Sequence, residues 1–174
     1  MLAEAHLSAI VQYSDDAIIS KSLDGLVVTW NPAASRVFGF SEDEMVGQSI
    51  RRLIPADRQD EEDAILARIA QGQRVESFET IRQRKDGSTF RVSLTVSPIL
   101  DPQGTVIGAS KIARDVSARH AAQEALRESE QHFRMRADNI SQQAWFADAQ
   151  GRAIWLNRRW HDFTGQTPEE ALLD

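Results

Sequence analysis

Cysteine is absent from all 174 residues, which removes disulfides, thiolate catalysis, thiolate-bound zinc and any chromophore attached through sulfur. No run of about 18 apolar residues occurs, so nothing reads as a membrane span. Met1 to Gln12 lack the basic start, long apolar run and small-residue cleavage site of a signal peptide, and a cytoplasmic location with no membrane insertion is expected. A basic excess is missing too. Twenty Lys and Arg stand against 26 Asp and Glu, a net charge of −6, and phosphate neutralisation needs a basic face, so nucleic acid is not an expected partner. No nucleophile–base pair, phosphate loop or nucleotide-binding box is present, which leaves an autonomous enzyme without support. With 41% hydrophobic residues, the chain has material for one core of ordinary size and a remainder.

Residues 1–14 read as an N-terminal flanking helix with an imperfect apolar side of Leu7, Ala9, Ile10 and Tyr13. Ala17 to Ser20 and Leu26 to Trp30 flank Asp24-Gly25, a pair suited to a type I′ hairpin turn. Asn31 then caps a short helix with Pro32 at its first position, and Gly39 ends it. Ser41 and Glu44 form a capping box for a second short helix that Gly47 stops. A third helix is predicted from about Arg58 to Ala70, with Ile65, Leu66 and Ile69 as its apolar stripe. Its acidic run Asp60 to Asp63 is taken as a solvated helix start that suits the dipole rather than a metal site. From Val75 the pattern turns to strands. Phe90, Val92, Leu94 and Val96 alternate with Arg91, Ser93, Thr95 and Ser97, after a turn at Lys85-Asp86-Gly87-Ser88. Asp101 to Gly104 make another turn and Val106 to Ala113 a last strand. Two strands, three helices and three strands suit an α+β fold: one antiparallel sheet with helices on one face and a cavity-prone interface between them.

A polar helical connector follows over 116–138. Leu126, Phe133 and Ile140 recur every seven residues, a seam too short to establish a coiled coil alone. An internal repeat then begins. Asn31, Gly39, Ser41 and Glu44 return as Asn157, Gly165, Thr167 and Glu170, each displaced by 126 positions. Residues 139–174 are thus read as the start of a second copy, which has too few strands to close a sheet alone.

The order Asn31-Pro-Ala-Ala-Ser-Arg-Val-Phe-Gly39, Ser41 to Glu44 and Gly47, then Arg84-Lys85-Asp86-Gly87-Ser88, then Gly108 and Ile112 to Ser117, resembles the successive signatures of a PAS domain with its C-terminal PAC segment. The resemblance places the PAS domain at 15–115, with PAC at about 75–117, and marks Asn31, Gly39, Glu44, Gly47, Asp86, Gly87 and Arg114 as signature positions. It implies a five-stranded antiparallel sheet, a homodimer through the flanking helices, and a covalently attached downstream effector, most often a histidine kinase of a two-component system. Any ATP-binding part would then lie beyond Asp174. A ligand-free dimerisation module of a cyclic-dinucleotide enzyme is the alternative. In relatives the Asp of the Asp-Val-Ser motif transmits the signal, which assigns that role to Asp115; as a plain N-cap it is worth about 1 kcal/mol.

Cofactor expectations follow from departures. Light-sensing relatives trap flavin through a cysteine, which this sequence lacks. Heme-binding relatives place a His four residues before the Leu of a Leu-Ala-Arg run, and here that position is Glu62, a poor substitute for imidazole. His6, His120, His132 and His161 lie outside the first copy's predicted core, and His120 lacks the acidic and proline neighbours of a phosphoacceptor. Heme and cysteinyl-flavin are thus disfavoured and non-covalent flavin stays open. Ile18, Trp30, Val37, Phe40, Leu66 and Leu94 are the candidate pocket lining, and no metal site is expected.

Overall fold

The computed structural model describes residues 2–165 and divides the chain into one unit over Met1–Ala118 and a second over Arg119–Asp174. The predicted capping box Thr167–Glu170 lies outside the described residues. In the first unit a helix α1 (Leu2–Gln12) precedes β1 (Ala17–Ser22) and β2 (Val27–Trp30), followed by α2 (Pro32–Phe38) and α3 (Glu42–Met45). Two 3₁₀ turns (Ile50–Leu53, Ala56–Arg58) lead into α4 (Asp60–Ala70), and β3 (Val75–Gln83), β4 (Thr89–Leu100) and β5 (Val106–Asp115) complete the sheet. All pairings are antiparallel, in the order β2-β1-β5-β4-β3. The last strand therefore sits at the centre, between the first strand and β4.

The local signals explain the elements. Asn31 Oδ1 accepts from Ala34 N at 2.9 Å, and Gly39 closes α2 at φ 79°, a left-handed conformation that costs other residues about 1–2 kcal/mol. Ser41 and Glu44 form the reciprocal capping box. One turn differs from expectation. Asp24 keeps a negative φ and only Gly25 is left-handed, with Gly25 N bonded to Ser22 O. The connection is therefore a three-residue loop with a bulge rather than type I′, which needs positive φ at both central residues.

Strand alternation sends Ala17, Ile19 and Lys21 inward from β1, and Phe90, Val92, Leu94 and Val96 from β4. Ala109, Lys111 and Ala113 do the same from β5. Trp30, Phe38 and Phe90 stack in series, with centroids 5.7 and 5.5 Å apart. The apolar interior forms two clusters, one around Ile19, Phe38 and Leu94, the other around Ile65, Ile69, Val96 and Ala109. On β5, Lys111 stands between Ala113 of the first and Ala109 of the second.

The second unit contains β6 (Trp145–Ala147), β7 (Ala153–Leu156) and α6 (Arg158–Thr164). It is preceded by α5 (Ser117–Asp138), which begins at the end of the first unit. Its Asn157 repeats the hydrogen bonding of Asn31 bond for bond. Asn31 Oδ1 accepts from Ile18 N and Ala34 N, and its Nδ2 donates to Val11 O and Asp16 O. Asn157 does so with Ala144 N, Trp160 N, Ala137 O and Gln142 O. Phe133, placed by sequence in the seam offered to a partner helix, packs on Phe146 and Trp155 at 5.4 and 5.6 Å and keeps 46% of its surface exposed.

Candidate functional site

A charged layer lies inside the first unit where the sequence predicts none. Lys21 and Lys111 occupy inward positions because each keeps the two-residue phase of the apolar residues beside it. Glu62 shares a helical stripe with Ile65 and Ile69, three and seven residues on, which turns it to the sheet rather than to solvent. It is 0% exposed, so the expectation of a solvated acidic run fails at this residue. Its Oε2 accepts from Lys111 Nζ at 2.7 Å and its Oε1 from Lys21 Nζ. A buried carboxylate demands such partners, since an isolated one costs several kcal/mol to bury. Burial holds the Lys111 ammonium down to about 7 and that of Lys21 to about 6, each also repelled by neighbouring cations.

A second pair adjoins it. Arg82 Nη1 donates to Glu61 Oε2 at 2.8 Å and to Ile81 O at 2.7 Å, and Thr80 Oγ1 and Arg58 also reach Glu61. Burial pushes the Glu61 carboxyl up, but Arg82, Thr80 and Arg58 together outweigh it and hold it below its ordinary value. The Arg82 side chain is 3% exposed, and its Nη2 is buried without a hydrogen-bond partner. Arg82 and Lys111 face a chamber of about 10 Å³ walled by Ile19, Phe38, Leu53, Leu94 and Ala113, about the room one water needs. Of the candidate lining residues, Leu94 borders this chamber. Ile18 points to the opposite face from Ile19, and Trp30, Val37, Phe40 and Leu66 lie outside the chamber wall. A flavin ring system does not fit a chamber of this size. At the position where heme-binding relatives carry their His, Glu62 is already engaged by both lysines.

The joint between β5 and α5 is a second constellation. Asp115 Oδ1 accepts from Ser117 N at 2.9 Å, capping the helix start, while Oδ2 takes Arg84 Nη2 at 2.7 Å. Burial raises the carboxyl, but the Ser117 amide and Arg84 outweigh it and hold it below the ordinary carboxylate range. Arg84 lies 3.8 Å above the Phe90 ring and also donates to Val37 O at the end of α2. It thus joins α2, β4 and the helix start, a role sequence reading passed over. Arg114 binds Asp16 through two nitrogens at 2.8 and 2.6 Å. Glu44 also pairs with Lys85, and Asp86 takes Ser88 N at 2.9 Å while Gly87 adopts φ 84°. Gly47 N binds Val27 O at 2.8 Å. These signature residues therefore serve as caps, turns and clasps. Among the described residues, no helix is long and apolar enough to cross a membrane, and no group of three His, Cys, Asp or Glu is placed to hold a metal.

The first unit is thus a five-stranded antiparallel sheet with short helices over one face and a small, mostly apolar chamber between them. The PAS fold model matches residues 5–116, and the chain belongs to the PAS family. The solved PAS domain of a protein from Colwellia psychrerythraea shares the fold, with a TM-score of 0.61 at 24% identity over 67% of this chain and 98% of that one. Among curated proteins, the signal transduction histidine-protein kinase AtoS of Escherichia coli is 30% identical over 70% of this chain. Sensor protein FixL of Bradyrhizobium diazoefficiens is 30% identical over 53%. The chain spans 19% of the length of each.

Proposed function

We propose that this chain is the input region of a two-component sensor histidine kinase. It works as a homodimer, senses a small ligand, and passes the signal from β5 through Asp115 into α5. Domain limits of 1–14, 15–115, 116–138 and 139–174 go with this reading. The observation that carries it is the Asp115 joint. One carboxylate caps the outgoing helix and is clamped by Arg84, which touches α2 and β4, so a shift of the sheet or of α2 changes the cap. The likeness to a named histidine kinase and a named sensor protein supports the class of effector. Asp115→Ala should uncouple autophosphorylation of the parent kinase from its input, while the isolated chain loses only about 1 kcal/mol of stability. Unaltered coupling in that variant would defeat the relay. Leu126, at the exposed side of α5, belongs to the proposed dimer seam, and Leu126→Asp should shift the sedimentation coefficient from dimer to monomer with the circular dichroism spectrum unchanged. The filled core favours a second reading, a ligand-free dimerisation module, and mass spectrometry of small molecules released from native protein separates the two.

A further inference from the structure

We propose that the Lys21–Glu62–Lys111 cluster is a proton-operated latch: when both lysines are charged, α4 loosens from β1 and β5, and the module thereby reports acidification. The geometry carries it. All three side chains are buried, and they come from β1, α4 and β5. Each Glu62 oxygen takes one amine, Oε1 that of Lys21 and Oε2 that of Lys111 at 2.7 Å. Glu62 is thus a polar link from α4 to both strands, beside the apolar contacts of Ile65 and Ile69. The choice of residue points the same way. Of the chain's 20 Lys and Arg, only Lys21, Lys85 and Lys111 are lysines, and two of these three stand in the cluster. Arginine stays charged wherever it is placed, whereas a buried lysine can release its proton. A chain that otherwise uses arginine has put lysine where a proton can come and go.

Charge balance sets the direction. The cluster is faced by Arg82 from β3, by Glu61 from α4 and by Arg51 from the turn before α4. Arg51 is paired with Asp63 and Arg82 with Glu61. With one lysine neutral, the remaining ammonium and Arg82 balance Glu61 and Glu62. A second proton leaves one positive charge in excess in a low-dielectric interior, where it is costly. A neutral amine still has N–H groups to donate to Glu62, so the closed arrangement survives deprotonation. The two amines titrate as a pair. Burial first, and neighbouring cations second, hold them down at about 7 for Lys111 and about 6 for Lys21. Opening α4 returns the amines to water, where lysine titrates near 10.4, so the open form takes up protons and gains as pH falls. On the Lys111 proton alone, opening should rise roughly tenfold from pH 8 to pH 6. Lys111 lies on the strand that ends at Asp115. On the reading of this chain as an input region, loosening at α4 reaches α5 through that strand.

Lysine-specific carbon NMR of the 174-residue chain follows the three side chains from pH 5 to 10. Amide hydrogen exchange, corrected for its intrinsic pH dependence, compares α4 with α2 at pH 8 and pH 6. Two lysine resonances should titrate below pH 8, and α4 should lose roughly tenfold more protection than α2. Buried lysines that stay charged to pH 9 would overturn the latch. So would equal loss in α4 and α2, which is general acid destabilisation. Lys111→Met should remove most of the pH dependence at α4, and Lys21→Met serves if that variant fails to fold. Undiminished dependence in a folded variant would also overturn it. Autophosphorylation of the parent kinase is then compared at both pH values with and without Lys111→Met. An identical pH response, with Asp115→Ala still uncoupling the kinase, would sink proton sensing and spare the input-module reading. The expected NMR and exchange results with no effect of Asp115→Ala would sink that reading and keep the latch.

Discussion

Lys111→Met removes one buried ammonium and keeps most of the stem that packs between the two apolar clusters. In the wild type, burial holds Lys111 near 7 and Lys21 near 6, whereas an unfolded lysine titrates near 10.4. Below about pH 6 both states are protonated and the full cost of the buried charge is present. Above the folded values the native state holds fewer protons than the unfolded chain, so stability rises with pH. The slope is positive from about pH 7 to 10, where the native state has given up lysine protons that the unfolded chain still holds. The variant leaves Lys21 and Glu62 as a one-to-one pair. Replacing excess buried charge by a hydrophobic group is often neutral or stabilising by about 1–4 kcal/mol, so at pH 6.5 the variant should match or exceed the wild type. Its stability should climb less steeply with pH, since Lys111 no longer titrates and no longer depresses Lys21. Glu62→Gln should do the reverse and cost about 3–5 kcal/mol, because two amines then lose their only shared carboxylate. Urea unfolding followed by circular dichroism at pH 6.5, 7.5 and 8.5 measures all three proteins. Wild-type stability that stays flat or falls over that range would refute the reasoning, as would a Lys111→Met variant as unstable as Glu62→Gln.

Gly108→Ala should destabilise the fold by about 2–3 kcal/mol, since its Cβ would lie 2.4 Å from the Lys21 backbone oxygen and push the two central strands apart; a melting temperature within a degree of wild type would contradict this. Mixing the chain with hemin should give no Soret band characteristic of a coordinated histidine, because Glu62 is held by two lysines, and Glu62→His should not restore one while Lys21 and Lys111 remain. Absorption titration reads this directly. Arg84→Ala should weaken the helix start of α5 as Asp115→Ala does, and the double variant should lose less than the sum of the two, as measured in a double-mutant cycle by urea melting.

The sheet, its order of elements and the caps at Asn31, Ser41 and Gly39 were legible because each rests on a local rule: a period of two, a side-chain acceptor before a helix, a glycine after it. The charged interior was not, although its signal was present. Lys21 continues the phase of Ala17 and Ile19, and Lys111 that of Ala109 and Ala113, while Glu62 continues the stripe of Ile65 and Ile69. Composition makes a charged residue on such a phase look like an interruption of the pattern. Only pairing across three separate elements, 41 and 49 residues apart, turns three interruptions into one cluster, and one chain of letters does not show which elements meet. The Ile18 assignment missed by a single residue for the opposite reason, since a strand's two faces look equally apolar where two isoleucines are adjacent. The heptad pattern at Phe133 records spacing and did not show that Phe146 and Trp155 of the hairpin take one side of the ring.

The twin asparagine knots have a consequence for chemical ageing. Asparagine deamidates when the backbone nitrogen of the following residue attacks its side-chain amide and closes a succinimide ring. Conversion to aspartate would replace the two donated bonds of Nδ2 with a charge at a buried position, and so undo the link between each domain's leading helix and its first strand. At Asn31 the following residue is Pro32, whose nitrogen carries no hydrogen to lose. At Asn157 the following amide, that of Arg158, is held by Asp138 Oδ1 at 2.8 Å. Both carboxamides are also pinned by four hydrogen bonds, away from the approach that ring closure needs. The two residues on which each copy is tied together are thus shielded, by different means, from the slow reaction that would untie them.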